Sequence, residues 1–162
     1  METKTLLLMG SRFDLTVVAK DHAACQYYLG TAEQEITRIE NLISDWRSGT
    51  EVDQINKNAG IKPVKVSWET FQLIERSKYL SKITEGAFDI SYAALDRIWK
   101  FDGTVNQLPD PEMVKASVSK IGYQKIITQA KDTTVFLELP GMKIGFGSNG
   151  KGYAADKTRT LL

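Results

Sequence analysis

Residues 21–43 of the chain are DHAACQYYLGTAEQEITRIENLI. Its apolar side chains recur at intervals of four, four, three and four positions, at Tyr28, Ala32, Ile36, Ile39 and Ile43. This spacing places them on one stripe of an α-helix, while charged side chains cover the other side. We therefore predict a long amphipathic helix over residues 21–43.

The residues before this helix have a different period. In SRFDLTVVA (residues 11–19), Phe13, Leu15 and Val17 alternate with more polar positions. Alternation with period two predicts a strand with one buried face. The segment TLLLM before it predicts a second extended stretch, with Gly10 as the joint.

The residues after the long helix predict a succession of short elements. Ser67 is a suitable N-cap for a helix from Trp68 to about Ile83, and Pro111 is suited to the first position of a later helix. The remaining predictions are a helix over 51–60, a strand over 62–66, a part-helical segment over 92–103 and a helix from Gly150.

Three strands are predicted near the end of the chain, over residues 124–128, 133–139 and 142–146. Pro140-Gly141 is predicted to be the hairpin turn between the last two. Strands and helices thus occur in blocks, which favours an α+β fold with a mixed or antiparallel sheet and packed helices over a doubly wound sheet.

The amino-acid composition excludes some classes of partner and of site. The chain has 162 residues, enough for one domain, with 21 basic and 20 acidic residues. This near-balance argues against a nucleic-acid partner, which would require a basic face. Cys25 is the only cysteine, which excludes an intramolecular disulfide and a cysteine-based metal cluster. The start METKTLLLMG predicts no signal peptide, and a processed N-terminus would give the same pattern.

The segment GFGSNGKG, residues 145–152, fits two phosphate-binding patterns in part. It contains G-x-G-x-x-G, but a dinucleotide-binding βαβ unit needs an acidic residue about 20 positions later, and only 12 residues follow Gly150. It also resembles a P-loop, except that Gly152 replaces the Ser or Thr that would bind Mg²⁺. A third interpretation is a strand-to-helix turn that needs a flexible backbone. In all three, Lys151 and the adjoining backbone amides could receive a phosphate.

Two other residues have alternative interpretations. Asp89, in GAFDIS, is either a capping residue or a ligand contact, and its chemistry favours capping. Trp46, in a polar loop, could stack on a flat heterocycle or seal the edge of the core.

Five segments in this order resemble the FAD:protein FMN transferases of the ApbE type. They are LMGSRFDLTVVA, EITRIENLISDW, INKNAGIKPVKVS, GAFDIS and GKGYAADK. The resemblance extends from Leu8 to Leu162 and implies the N-terminal portion of a single ApbE-like, T-fold-like domain over residues 1–162. It also implies that the glycine segment is the family's own loop for the flavin pyrophosphate and the metal.

The resemblance implies a Mg²⁺-dependent reaction. Such enzymes cleave the FAD pyrophosphate, transfer FMN to a Thr or Ser hydroxyl of a target flavoprotein and release AMP. Family members are commonly exported and lipid-anchored in bacteria, which implies the periplasmic side of the cell envelope and a lipid anchor in the native precursor.

The resemblance also assigns residues. Lys151 matches a position that contacts FAD and is the predicted catalytic residue, and Ser148 matches a metal-ligand position. The remaining matches to FAD-contacting positions are Met9, Trp46, Ala87, Phe88, Asp89 and Gly145.

This sequence departs from the family pattern at the glycine segment. Gly145 stands where the family often has Asp, and it cannot supply a side-chain contact. Ser148-Asn149 stands where a small apolar pair is usual; a backbone metal ligand would tolerate Ser148. The second half of family members supplies further metal ligands, so we expect this chain to be incompetent for transfer on its own. The alternative function is a truncated, non-catalytic module that binds FAD or a nucleotide.

Overall fold

The computed structural model describes residues 1–95, 98 and 108–162 and divides them into two compact units. Residues 1–44 and 146–162 form the first unit, and residues 45–145 form the second. The predicted part-helical segment 92–103 falls largely outside the described residues.

The first unit contains the two predicted strands and the long helix. β1 (Glu2–Leu8) and β2 (Ser11–Val17) pair antiparallel, with Leu8 opposite Ser11. Exposed and half-buried residues alternate along both strands; this alternation was predicted for residues 11–19, while the segment before them was predicted only to be extended. The helix α1 (His22–Ile43) begins at Asp21, whose side chain accepts a hydrogen bond from the Ala24 amide.

The apolar stripe of α1 forms the core of this unit. Ala32, Ile36, Ile39 and Ile43 are buried, whereas Tyr28 is half-buried. The helix packs against both strands and against the final helix, α5 (Gly150–Leu161). Ala154 of α5 is fully buried. The helical period of residues 21–43 therefore determines which face of α1 packs against the other elements of this unit.

The second unit is built from short elements. They are α2 (Glu51–Lys57), β3 (Val64–Lys65), α3 (Trp68–Ile83), a 3-10 helix (Ile90–Leu95), α4 (Pro111–Val118), a 3-10 turn (Tyr123–Lys125), β4 (Ile126–Gln129) and β5 (Thr134–Leu137). The strands form an antiparallel sheet in the order β3–β5–β4. Ser67 caps α3 and Asp110 caps α4 through their side chains, at the predicted helix starts. The α+β prediction is confirmed.

The predicted strand over residues 142–146 is wrong, and Pro140-Gly141 is not a hairpin turn. Met142 and Ile144 are buried, but the backbone of Ile144 is bound by a side chain rather than by a strand. The Asn56 amide donates to the Ile144 carbonyl at 3.0 Å, and its oxygen accepts from the Ile144 N–H at 2.8 Å. Met142 and Ile144 are therefore buried without belonging to a strand, because one asparagine satisfies the backbone groups that a neighbouring strand would bind.

Candidate functional site

The end of the glycine segment forms a turn that leads into α5. The Phe146 carbonyl accepts a hydrogen bond from the Gly150 N–H at 2.7 Å, and α5 begins at Gly150. A Cβ added to Gly150 would lie 3.0 Å from Ile43 Cδ1, 3.2 Å from Met9 Cε and 3.3 Å from Phe146 Cβ. Glycine is therefore favoured here by close packing, and the helix start lies close to the hairpin tip.

Two predicted site residues flank this helix start in sequence. Ser148 is exposed in the turn, and Lys151 is exposed in the first turn of α5. The first backbone amides of an α-helix have no partners within the helix and carry partial positive charge. The Lys151 ammonium adds a full positive charge at the same end. This arrangement suits a diphosphate group.

Met9 occupies the tip of the β1–β2 hairpin. Met9 and Gly10 have φ values of 51° and 68°, and together they form the two-residue connection between Leu8 and Ser11. Two successive positive φ values are typical of the hairpin turn whose twist matches that of the strands. The Met9 N–H donates a hydrogen bond to Glu40 Oε1 at 2.8 Å. In the first unit, the structure thus brings Met9 to the start of α5.

In the second unit, the Asp89 carboxylate binds the protein's own backbone. Its Oδ1 accepts hydrogen bonds from the Ser91 N–H at 2.8 Å and the Ser91 hydroxyl at 2.7 Å. Its Oδ2 accepts from the Tyr123 N–H at 2.8 Å, while the Ser91 hydroxyl accepts from the Gly122 N–H. The interpretation of Asp89 as a capping residue is confirmed, and this residue also joins two segments of the unit.

Ala87 and Phe88 follow a tight turn after α3. Glu85 and Gly86 both have positive φ values, 51° and 87°. The Ala87 N–H donates to the Thr84 carbonyl, and the Phe88 N–H donates to the Thr84 hydroxyl at 3.1 Å. Ala87 is exposed and Phe88 is half-buried. The turn therefore presents this segment at the surface of its unit.

Gly145 lies next to two of the other predicted segments. Its N–H donates to the carbonyl of Ile90, the residue after Asp89, at 2.9 Å. A Cβ at position 145 would lie 3.0 Å from Asp45 Oδ2 and 3.2 Å from Ala93 Cβ. Asp45 precedes Trp46, whose side chain is 67% exposed. The second unit thus places Gly145 beside residues that adjoin Asp89 and Trp46 in the sequence.

Comparison with known proteins identifies the family of this chain. The sequence model of the ApbE family matches residues 9–162. The chain belongs to the ApbE family. The match begins at Met9 and includes every predicted site residue.

The relatives carry a specific name. The FAD:protein FMN transferase of Klebsiella pneumoniae is 33% identical over 156 residues, covering 96% of this chain and 48% of that protein. The Treponema pallidum protein of the same name is 26% identical, over 89% of this chain and 40% of the relative. The chain spans about half the length of the curated relatives it matches.

Solved ApbE structures share the fold. The ApbE protein of Thermotoga maritima superimposes with a TM-score of 0.88 at 24% identity, over 99% of this chain and 52% of that one. The flavin transferase ApbE of Vibrio cholerae gives a TM-score of 0.82 at 18% identity, over 99% and 52%. These similarities confirm the predicted ApbE-like fold.

We tested whether the residues of this ApbE chain fit a metal ion. Within residues 1–95, 98 and 108–162, no group of three or more His, Cys, Asp or Glu side chains could hold one. Ser148 is exposed and stays a predicted ligand. Of the described helices, none is both long and apolar enough to cross a membrane.

Sequence reasoning missed two residues that contact predicted site residues. Glu40 was predicted to lie with the charged residues on the outer side of α1, and this is wrong: it lies on the buried side, one turn after Ile36. Asp45 lies in a polar loop, where its sequence neighbours gave no indication of its approach to Gly145. Both contacts join residues distant in sequence, so local patterns do not predict them.

Proposed function

We propose that this chain is the N-terminal portion of an ApbE-like domain in a FAD:protein FMN transferase. In the proposed reaction, a Thr or Ser hydroxyl of a target flavoprotein attacks the phosphorus of the FMN moiety. The bond between that phosphorus and the bridging oxygen breaks, and AMP leaves. The acceptor oxygen loses its proton, and a phosphoester bond joins FMN to the acceptor.

The observation that carries this proposal is the exposed Lys151 at the start of α5, within a region that matches the ApbE family. A diphosphate here would gain the Lys151 charge and the positive end of the helix. Lys151 would bind FAD and offset charge that develops on the departing phosphate. The name shared by the relatives supports FAD as the substrate.

In the second unit, Trp46 and the Ala87–Asp89 segment are proposed FAD contacts. The Trp46 ring is exposed and could stack on a flat ring system. Since the Asp89 carboxylate already accepts three hydrogen bonds, we propose that Asp89 contributes mainly by fixing the backbone beside Ala87 and Phe88. Gly145 would contribute through its backbone.

Mg²⁺ dependence is part of the proposal, with Ser148 as a ligand. A magnesium ion would supply electrostatic stabilisation of phosphate charge. The described residues do not form a metal cluster, so we derive no step of the reaction from the metal.

A non-catalytic FAD-binding module is the second candidate. It is favoured by the lack of a carboxylate cluster for a metal within the described residues. Isothermal titration of the chain with FAD, with riboflavin as a control that lacks phosphate, tests binding. Chromatographic detection of AMP and in-gel flavin fluorescence of an acceptor protein test transfer in the presence of Mg²⁺.

The outcomes separate the candidates. FAD binding with AMP release and labelled acceptor supports the transferase. Because the chain alone is expected to be incompetent for transfer, FAD binding without either product supports the module only if transfer is also absent when the second half of a family member is supplied. No preference for FAD over riboflavin contradicts both candidates.

We also propose that the native protein acts at the periplasmic side of a bacterial cell envelope, with a lipid anchor in its precursor. This proposal rests on the family resemblance. Fractionation of the source cells, followed by detection with an antibody against the chain, tests it; recovery in the cytoplasmic fraction contradicts it.

A further inference from the structure

The tip of the β1–β2 hairpin is held in a conformation that its sequence does not favour. Met9 has a φ of 51°, in the left-handed region that side chains other than glycine, asparagine and aspartate rarely occupy. Residues in such conformations persist when the surrounding structure fixes them, and they concentrate at functional sites. The contacts that fix Met9 are therefore informative.

One of these contacts comes from a buried acid. Glu40 Oε1 accepts a hydrogen bond from the Met9 N–H at 2.8 Å, and these residues are 31 positions apart. Glu40 is 9% exposed and lies on the same face of α1 as Ile36 and Ile43. Burial of a carboxylate is costly unless it is hydrogen-bonded, and a bond between a carboxylate and an N–H is stronger than one between neutral groups.

The Met9 side chain extends this connection to α5. Met9 Cε lies 3.2 Å from the position that a Cβ would occupy on Gly150, and Ile43 Cδ1 lies 3.0 Å from the same position. Lys151 follows Gly150 directly. The Glu40 carboxylate therefore fixes the Met9 backbone, and the Met9 side chain packs against the residue that begins the helix carrying Lys151.

From this chain of contacts we infer that Glu40 is a positioning residue for the flavin-dinucleotide site. It acts through Met9, which it holds against the first turn of α5. An apolar side chain at position 40 would fill the space but would leave the Met9 N–H without this acceptor. The inference rests on the proposed function, because it concerns the affinity for FAD.

The test is a double-mutant cycle on FAD affinity, measured by isothermal titration with Glu40→Leu, Met9→Ala and the double variant. We expect Glu40→Leu to weaken FAD binding about tenfold, consistent with loss of a charge-assisted hydrogen bond. When Met9 is already Ala, the same change should weaken binding less than about twofold, because coupled residues are not additive. Glu40→Gln retains an acceptor oxygen and should bind FAD within about threefold of the unmodified chain.

Two results would overturn the inference. One is that folded Glu40→Leu binds FAD as tightly as the unmodified chain. The other is that the two substitutions are fully additive, which would make Glu40 a stabilising residue without an effect through Met9.

A second measurement needs neither FAD nor the Leu variant. Hydrogen exchange followed by NMR should show the Met9 amide protected in the unmodified chain, and a nuclear Overhauser effect should connect the Met9 methyl group to the Gly150 α-protons. Exchange of the Met9 amide at the rate of an unprotected amide would contradict the inference even if Glu40→Leu fails to fold. If these NMR signals are present and the unmodified chain binds no FAD, the positioning contacts stand and the proposed function fails.

Discussion

The helix start at Gly150–Lys151 and the Ala87–Asp89 segment both contain predicted FAD contacts, but the structure uses their charged groups differently. The Lys151 side chain is exposed at the end of a helix. The Asp89 carboxylate accepts three hydrogen bonds from Ser91 and Tyr123. The comparison teaches that a residue matched to a binding motif can support a site through the backbone that it orders, without offering its charge to the ligand.

The largest expected effect tests the structural role of Asp89. Asp89→Ala removes the acceptor for the Ser91 and Tyr123 amides, so we expect the free energy of unfolding to fall by about 2–4 kcal/mol. Urea denaturation measures this change. Asp89→Asn is the matched control: one oxygen still accepts from Ser91, while its NH₂ group faces the Tyr123 N–H. Its loss should be intermediate, at about 1–2 kcal/mol. Unchanged stability in Asp89→Ala would show that the carboxylate is available to a ligand after all.

The second prediction concerns Gly145, where the family resemblance implies a frequent Asp. A Cβ there would lie 3.0 Å from Asp45 Oδ2, so Gly145→Asp brings two carboxylates together in a crowded position. We expect a loss of about 1–3 kcal/mol in unfolding free energy, from overpacking and charge repulsion.

The double variant Asp45→Asn with Gly145→Asp separates these two causes. If repulsion dominates, removing the charge of Asp45 should restore part of the stability lost in Gly145→Asp. If the double variant is no more stable than additivity predicts, crowding alone explains the loss. A Gly145→Asp variant as stable as the unmodified chain would contradict the close approach itself.

The third prediction tests the exposed charge of Lys151 at the start of α5. Lys151→Met should weaken FAD binding about tenfold, equivalent to about 1.4 kcal/mol, because the diphosphate loses a cation while the helix end remains. Stability should change by less than about 0.5 kcal/mol, since the side chain is exposed. Lys157→Met is the matched control, with the same charge change on the same helix, and should bind FAD like the unmodified chain. Equal FAD affinities for the two variants would remove Lys151 from the proposed site.

Helices could be predicted from the sequence where hydrophobic periodicity and helix-start residues indicated the same element. The period of residues 21–43, the N-cap predicted at Ser67 and the proline at position 111 gave helix starts that the structure confirms. The strand predicted over residues 142–146 is wrong, because the Asn56 side-chain amide, and not a neighbouring strand, binds the Ile144 backbone. Hydrophobic periodicity predicts which face is buried, not which group satisfies the backbone.

The site could be predicted only as separate segments. Family motifs point to Met9 and Lys151, but the packing of Met9 against Gly150 depends on contacts between residues far apart in the sequence. The same holds for Glu40 on Met9 and for Asp45 beside Gly145. These contacts follow from tertiary structure, which a single sequence does not reveal residue by residue.

The smallest expected effect concerns Asp53, another aspartate whose carboxylate binds its own chain. Asp53, in the first turn of α2, accepts hydrogen bonds at 2.8 Å from Lys57 Nζ and from the Gly49 N–H. The Lys57 bond, followed by the Gly49 bond, lowers the pKa of Asp53 below its usual value, and burial offsets this only in part. Because the pKa is lowered in the folded state, the stabilisation is complete above the unfolded-state pKa and is lost as pH falls through the folded-state pKa.

The direction of this pKa shift makes the pH dependence of stability testable, and it can be compared with the effect expected for Asp89. Unfolding free energy measured from pH 6 downwards should fall below about pH 4, and Asp53→Asn should make that fall shallower. Lys57→Met should flatten the same region, since it removes the largest cause of the lowered pKa. The effect should be smaller than that of Asp89→Ala, because Lys57 is more than half exposed and exposed ion pairs contribute little. An identical pH dependence below about pH 4 in all three proteins would show that ionisation of Asp53, paired with Lys57, does not contribute to stability.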